Sequence, residues 1–364
     1  MNTRKSIKKL LLLIPVLLLL FNSCKHEDLE IAKENENFRL ASDFIKNNYD
    51  MSLFYAAIEK AGMKAQLQGP GPFTVLVPNN LAFQQIGISR PSDFDKMNQD
   101  SLKSLVQRHV LNYRLLTRDI PLNGVDIRYL TLAGEELYTT SSNFNPKGFA
   151  NYQLDLFFNG AAVVKEDVNL ANGALHVINK VMKYTPKSTV QDWLAKRPQY
   201  SIFVSGLKKF GLWDKLATAG PFTVFAPQNK EFEASNITEA SIAALNTKNY
   251  NGKRLFGGYV MDKKHFFISD FFAFKFINDE TVFIRKVDDD NWLMIMNSAS
   301  DSFNRLNTLT LNLRTPVDFY TNYNTIYAST PGLSDNLTDN GLVHDVQGLL
   351  LLPEQALINN SPNN

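Results

Sequence analysis

Five histidines, one cysteine and a short aspartate run are the residue types in this 364-residue chain that invite chemistry. His26 lies close to the N-terminus, which leaves His109, His176, His265 and His344 to build anything in the body of the chain. His109 and His176 have the side chains of a metal pair or an acid–base pair. Neither has a carboxylate at ligand-like spacing, so the favoured reading is structural, each imidazole filling a hydrogen-bond role at a strand edge. Asp288-Asp289-Asp290-Asn291 offers carboxylates to calcium, but it lacks the glycine and closing glutamate of an EF-hand loop and reads as a solvated hairpin turn. No nucleophile elbow, phosphate-binding glycine loop, His-Glu-x-x-His or Cys-x-x-Cys occurs. The expectation is a protein that binds rather than catalyses, with no catalytic residue, no metal and no cofactor.

Aromatic side chains are the second resource. Phe266, Phe267, Phe271, Phe272, Phe274 and Phe276 crowd together, and Phe272, Phe274 and Phe276 alternate with Ala273 and Lys275. Such alternation places all three rings on one strand face. Val282–Val287, a turn at Asp288–Asn291 and Trp292–Met296 follow as a hairpin. Farther on, Phe319, Tyr320, Tyr323 and Tyr327 interleave with Asn322 and Asn324. One reading is a local mini-core beneath an enlarged sheet. The functional reading is an exposed platform of Phe272, Phe274, Phe276, Trp292, Tyr320 and Tyr323, on which sugar rings or a protein partner would seat.

The elements that position these residues come twice. Ser52 through Phe83 aligns with Ser201 through Phe232 at a constant offset, pairing Phe54 with Phe203, Gly62 with Gly211, Thr74 with Thr223 and Asn80 with Asn229. Asn172-Gly173-Ala174-Leu175-His176-Val177 aligns with Asn340-Gly341-Leu342-Val343-His344-Asp345, and the wider separation marks a net insertion in the second copy. Leu53, Phe54, Ala57, Ile58 and Ala61 keep helical spacing, with Gly62 as the stop. Pro72–Pro78 reads as a buried strand between prolines, followed by a helix capped by Asn79 or Asn80 with Ala82 and Phe83 facing inward. Leu154–Phe158, Asn159-Gly160 and Ala161–Lys165 carry a hairpin signal. Helices bunch early and strands bunch late in each copy, which is the pattern of an α+β fold.

At these residues the chain resembles the fasciclin domain family, twice. The carriers are Gly-Pro-Phe-Thr-Val-Leu-Val-Pro at 71–78 with Gly-Pro-Phe-Thr-Val-Phe-Ala-Pro at 220–227, His109-Val110-Leu111 in the middle, and the two closing motifs at 172–178 and 340–344. The second copy departs in the middle, where Tyr259-Val260 stands for His-Val, and at Asp345 and Gln347. The resemblance implies two β-wedge domains with packed helices in tandem, used outside the cell for adhesion and ligand binding. His109, His176 and His344 then read as structural motif residues.

The N-terminus reads as an address. Arg4, Lys5, Lys8 and Lys9 precede an apolar run from Leu10 to Phe21, too short to span a bilayer and suited to a signal peptide. Asn22, Ser23 and Cys24 follow, and the segment resembles a lipoprotein signal in which Cys24 becomes the lipidated first residue, with Phe21 where such signals usually carry Leu. Lys25-His26-Glu27-Asp28 resembles the tag of outer-surface lipoproteins in gram-negative bacteria. The expected organisation is a signal peptide at 1–23, a polar tether at 24–37, domains at 38–185 and 186–354, and a tail at 355–364. The formal charge is +2, and losing the four basic residues of the signal peptide turns it to −2, which offers no field for nucleic acid. The expected partners are the membrane, through the lipid, and a glycan or extracellular protein bound through the second domain. The alternative is an accessory subunit of an outer-membrane complex that captures nutrient polysaccharide.

Overall fold

Apolar spacing decides the first layer. In the computed structural model, which describes residues 38–144, 153–277, 282–299, 308–315, 324–328 and 334–358, Leu53, Phe54, Ala57 and Ile58 line the buried face of α1 (Ser52–Lys60). Helix α2 (Gln99–Arg108) turns Leu102, Leu105 and Val106 inward and starts on Asn98, whose side chain accepts from Asp100 N and Ser101 N. Asn79 caps the short helix that follows the first strand by accepting from Ala82 N at 2.9 Å. Asn80 instead accepts from Leu53 N at 3.0 Å and so holds the start of α1.

The first repeat is built on seven strands: β1 (Phe73–Pro78), β2 (Val110–Leu111), β3 (Gly124–Leu130), β4 (Glu136–Phe144), β5 (Gln153–Phe158), β6 (Ala161–Leu170) and β7 (Gly173–Ile178). They form one sheet in the order β2-β1-β7-β6-β5-β4-β3. Among the described residues the one parallel pair in it joins β1 to β7, from Phe73 opposite Gly173 to Pro78 opposite Ile178. Both faces of β1 are buried. Val75 and Val77 pack with Phe54, Ile58 and Phe83 under the helices, whereas Leu76 packs with Leu111, Leu137, Phe158 and Ile178 on the other side. Period-two alternation therefore feeds two cores. The β5–β6 turn places Asn159 and Gly160 at φ 46° and 76°, the left-handed pair that a tight hairpin requires.

Short strand β8 (Tyr184–Thr185) leads into the second repeat, with α3 (Val190–Ala195), α4 (Ser201–Lys209), β9 (Phe222–Pro227), β10 (Val260–Asp262) and α5 (Ile268–Ile277). The strands β11 (Val282–Lys286), β12 (Leu293–Ala299), β13 (Thr308–Arg314), β14 (Thr325–Ala328), β15 (Asn336–Thr338) and β16 (Gly341–Val346) complete it. The core pairing repeats in kind, with β9 parallel to β16 from Phe222 opposite Gly341 onward. The remainder differs from the first repeat, because the strands divide into a sheet β10-β9-β16-β15-β8 and a separate sheet β11-β12-β13-β14. Strand β8, which the sequence places at the end of the first domain, hydrogen-bonds in parallel to β15 of the second. One compact unit spans Arg39–Asn364.

The aromatic insertion is not a strand. Phe272, Phe274 and Phe276 lie on helix α5, so alternate residues do not share a face. The segment is apolar almost all round, and such a helix is stable only when covered on several sides. It is covered, by β3 and β4 of the first repeat and by β12 and β13 of its own.

Candidate functional site at the junction of the repeats

The motif residues are occupied in holding each wedge together. Asn172 accepts from Ala41 N at 2.9 Å and donates to Leu67 O and Gly69 O. Asn340 accepts from Val190 N at 2.7 Å and donates to Leu216 O and Thr218 O, the equivalent atoms of its own repeat. Gly173 and Gly341 sit where a Cβ would lie 1.9 Å and 2.3 Å from the carbonyl oxygens of Phe73 and Phe222, so only glycine lets the parallel strands close.

The histidines follow the same logic. His176 accepts from Asp167 N at 3.3 Å through Nδ1 and donates from Nε2 to Leu115 O at 2.9 Å. His344 accepts from Asp335 N at 3.1 Å and donates to Phe266 O at 2.8 Å. His109 donates from Nδ1 to Leu105 O at 2.8 Å and accepts from Met182 N at 3.1 Å. All three rings are fully buried. Burial holds each below the usual imidazole pKa, His109 down to about 3. With a backbone partner at both nitrogens, these neutral rings have no atom left for a metal or for proton transfer. Where the second repeat lacks the middle histidine, buried Tyr259 accepts from Leu350 N at 2.6 Å through its phenol. The chemistry of the position survives the change of residue.

Two expected features are repositioned. Asp288 is buried and accepts from Arg254 Nε at 2.8 Å and Trp292 N at 3.1 Å, while Asp290 takes Arg254 Nη2 at 2.6 Å. The aspartate run is a counter-ion for a buried arginine rather than a wholly solvated turn. Trp292, expected on an exposed platform, is 1% exposed beneath the Arg254 guanidinium, which lies 4.2 Å from the ring centroid. Phe274 packs partly buried against Phe266, ring centroids 5.2 Å apart, and against Phe283. Trp292 is covered by Arg254 and Phe274 is packed into the core cluster, so they do not form an exposed platform. The side chains of Phe272 and Phe276, and the whole of Cys24, Tyr320 and Tyr323, lie outside the described residues.

What α5 does instead is join the repeats. Asp270 at its start accepts from Thr140 of β4, and Phe267 packs with Leu337 and Leu342 against Tyr138 and Tyr184. Tyr138 packs at a tilt against His265, with centroids 4.4 Å apart. Lys180 pairs with buried Asp335 at 2.9 Å, and Lys183 donates to Ser334 O at 2.5 Å. A Cβ on Gly160 would lie 2.8 Å from the Asp335 carboxyl, which shows how closely the hairpin tip approaches the second repeat. Burial shifts two of the junction's groups toward neutrality, pushing Asp270 up to about 7 and Lys183 down to about 7. For Asp335 burial is outweighed by Lys180 and His344, which hold it below the usual carboxylate range.

Two concavities flank this seam and share Tyr184. One, of about 290 Å³, is walled by Glu135, Glu136, Tyr138, Tyr184 and Asp339. The other, of about 460 Å³, lies between α2, the connecting segment and the end of α3. The bidentate Arg108–Glu135 pair, at 2.6 and 3.1 Å, contributes its arginine to the larger concavity and its glutamate to the smaller. Sequence reasoning missed these residues. Their partners are too far apart in the chain to give a local signal, and Lys183 reads only as part of the end of the first domain. Among the described residues no group of three or more His, Cys, Asp or Glu side chains is placed to hold a metal ion.

The family model of the fasciclin domain matches residues 49–184 and again 198–353. The chain belongs to the fasciclin domain family. Its fasciclin domains are similar to stabilin-1 of Homo sapiens, 30% identical over 186 residues, covering 49% of this chain and 7% of that protein. Periostin of Homo sapiens is 25% identical over 189 residues, covering 52% of this chain and 20% of periostin. The chain thus spans a small fraction of the length of these relatives. A solved FAS1 domain pair from the insect cell adhesion molecule fasciclin I aligns over 84% of this chain and 97% of that one, at 17% identity and a TM-score of 0.36. The fasciclin repeats here are α+β, and no helix among the described residues is long and apolar enough to cross a membrane.

Proposed function

We propose that this protein is an adhesion and ligand-binding protein of the cell surface, anchored in the outer membrane through lipid on Cys24, whose ligand seats at the junction of its two fasciclin domains. One observation carries the placement: the larger concavity is lined by both repeats and the segment between them. Its volume is that of a small-ligand site. The motif side chains repeated in the two copies support the same reading by elimination, since their polar atoms are already bonded within each wedge. The candidate ligands are a surface glycan or an extracellular protein.

A glycan and matrix-protein array probed with the fragment from Lys25 onward tests this. Saturable binding that weakens with Tyr184→Ala supports the junction. Saturable binding that ignores Tyr184 moves recognition elsewhere, and no binding at all counts against an adhesive role. Absence of any ligand together with stoichiometric co-purification of an outer-membrane protein would favour the accessory-subunit alternative. Metabolic labelling with palmitate tests the anchor, because Cys24→Ser should abolish incorporation. Equal labelling of the variant would refute lipidation there.

A further inference from the structure

Charge in the larger groove is unevenly compensated. Arg108 is neutralised by Glu135. Arg197 is not: it lies over Trp193, guanidinium carbon 3.8 Å from the ring centroid, with Nη1 donating to Trp193 O at 2.8 Å. Among the described residues no carboxylate pairs with it, and it lines the groove from the second repeat, where its stacked guanidinium keeps donors to spare. Lys183 adds an amine to the lining, with its nitrogen on the Ser334 carbonyl. Burial is the main cause that lowers Lys183; Asp335 opposes it, and Lys180 and Arg197 add to it. An anion in the groove would relieve that field. Opposite Arg197, α2 presents Ser101 and Ser104 with the carboxylate of Asp100, a set of small hydrogen-bonding groups suited to hydroxyls.

The geometry points to this groove as the binding site of a uronate-bearing oligosaccharide, its carboxylate on Arg197 and its hydroxyls against Ser101, Ser104 and Asp100. A planar carboxylate matches the bidentate fork of a stacked arginine. A peptide bound by strand addition is disfavoured because the strand lining the groove, β8, is two residues long. The inference rests on the junction reading above and narrows it to one class of ligand.

Calorimetric titration of the Lys25–Asn364 fragment with a short oligogalacturonate tests it. The same oligosaccharide with its carboxyl groups reduced to alcohols, and a glutamate-rich peptide, serve as comparisons. The expected result is saturable binding of the uronate form alone, weakened at least about tenfold by Arg197→Ala. Ser104→Trp, which fills the groove from α2 and leaves Arg197 in place, should abolish binding and carries the test if Arg197→Ala unfolds. Equal affinity in both variants, equal binding of the reduced sugar, tighter binding of the peptide, or no uronate binding would each overturn the inference. An array ligand that needs Tyr184 but ignores Arg197 would sink this inference and leave the adhesion reading standing.

Discussion

At the scale of residues, the buried motif side chains and the Arg254–Asp288 pair are bonded to specific partners, and removing a single partner should be costly. Tyr259→Phe deletes the acceptor for Leu350 N and leaves a buried N–H unmatched. Denaturant melts should show a loss of about 1–3 kcal/mol. Arg254 and Asp288 are both fully buried in side chain, so Arg254→Ala should lose about 3–5 kcal/mol by stranding the aspartates. The paired replacement Arg254→Met with Asp288→Leu should recover much of that loss in the same melts. The histidines set the acid limit. Burial depresses His109 to about 3 and His265 to about 4 in the folded state, and also lowers His176 and His344. A base with a lowered folded pKa contributes fully above its unfolded value near 6.5 and loses that contribution as pH falls toward the folded value. Unfolding midpoints should therefore drop between pH 6.5 and about 3, and a midpoint that is flat across this window would contradict the assignment.

At the scale of elements, α5 and the β5–β6 hairpin act as the clamp between repeats. Gly160→Ala should loosen it, because the added Cβ meets the Asp335 carboxyl and the backbone there sits at φ 76°. Increased amide exchange in β5 and α5 is the expected readout. Asp270 is an acid whose folded pKa is raised to about 7, so the protonated form is the one the fold favours. Its stabilising protonation is lost as pH rises from about 4 through 7, and Asp270→Asn should flatten that fall and stabilise the protein at pH 8, by on the order of a few kcal/mol. The limits of sequence reading lie at this scale. The first-repeat helices, the proline-bounded strands and the Asn159-Gly160 hairpin follow from local spacing and turn chemistry, and the repeat itself doubles each signal. For α5 the alternation of Phe272, Phe274 and Phe276 pointed to a strand. A short apolar run fits either element, and only cover from two sheets decides for helix. The clamp was invisible for a similar reason, since Thr140 and Asp270 are 130 residues apart and Lys180 and Asp335 are 155 apart.

At the scale of the whole molecule, the two fasciclin domains are one compact unit, and two concave surfaces lie along their seam. Fasciclin motifs maintain each wedge, and the second repeat's insertion secures one wedge to the other. On this account recognition belongs to the pair rather than to either repeat. The most direct test compares ligand-array binding by the Lys25–Asn364 fragment with binding by Gly160→Leu, after far-UV circular dichroism shows both to be folded. The account predicts that the intact pair binds saturably and that the variant with a disturbed seam binds at least about tenfold more weakly. Undiminished binding by a variant whose amide exchange shows the seam to be open would contradict it and place recognition on a single repeat.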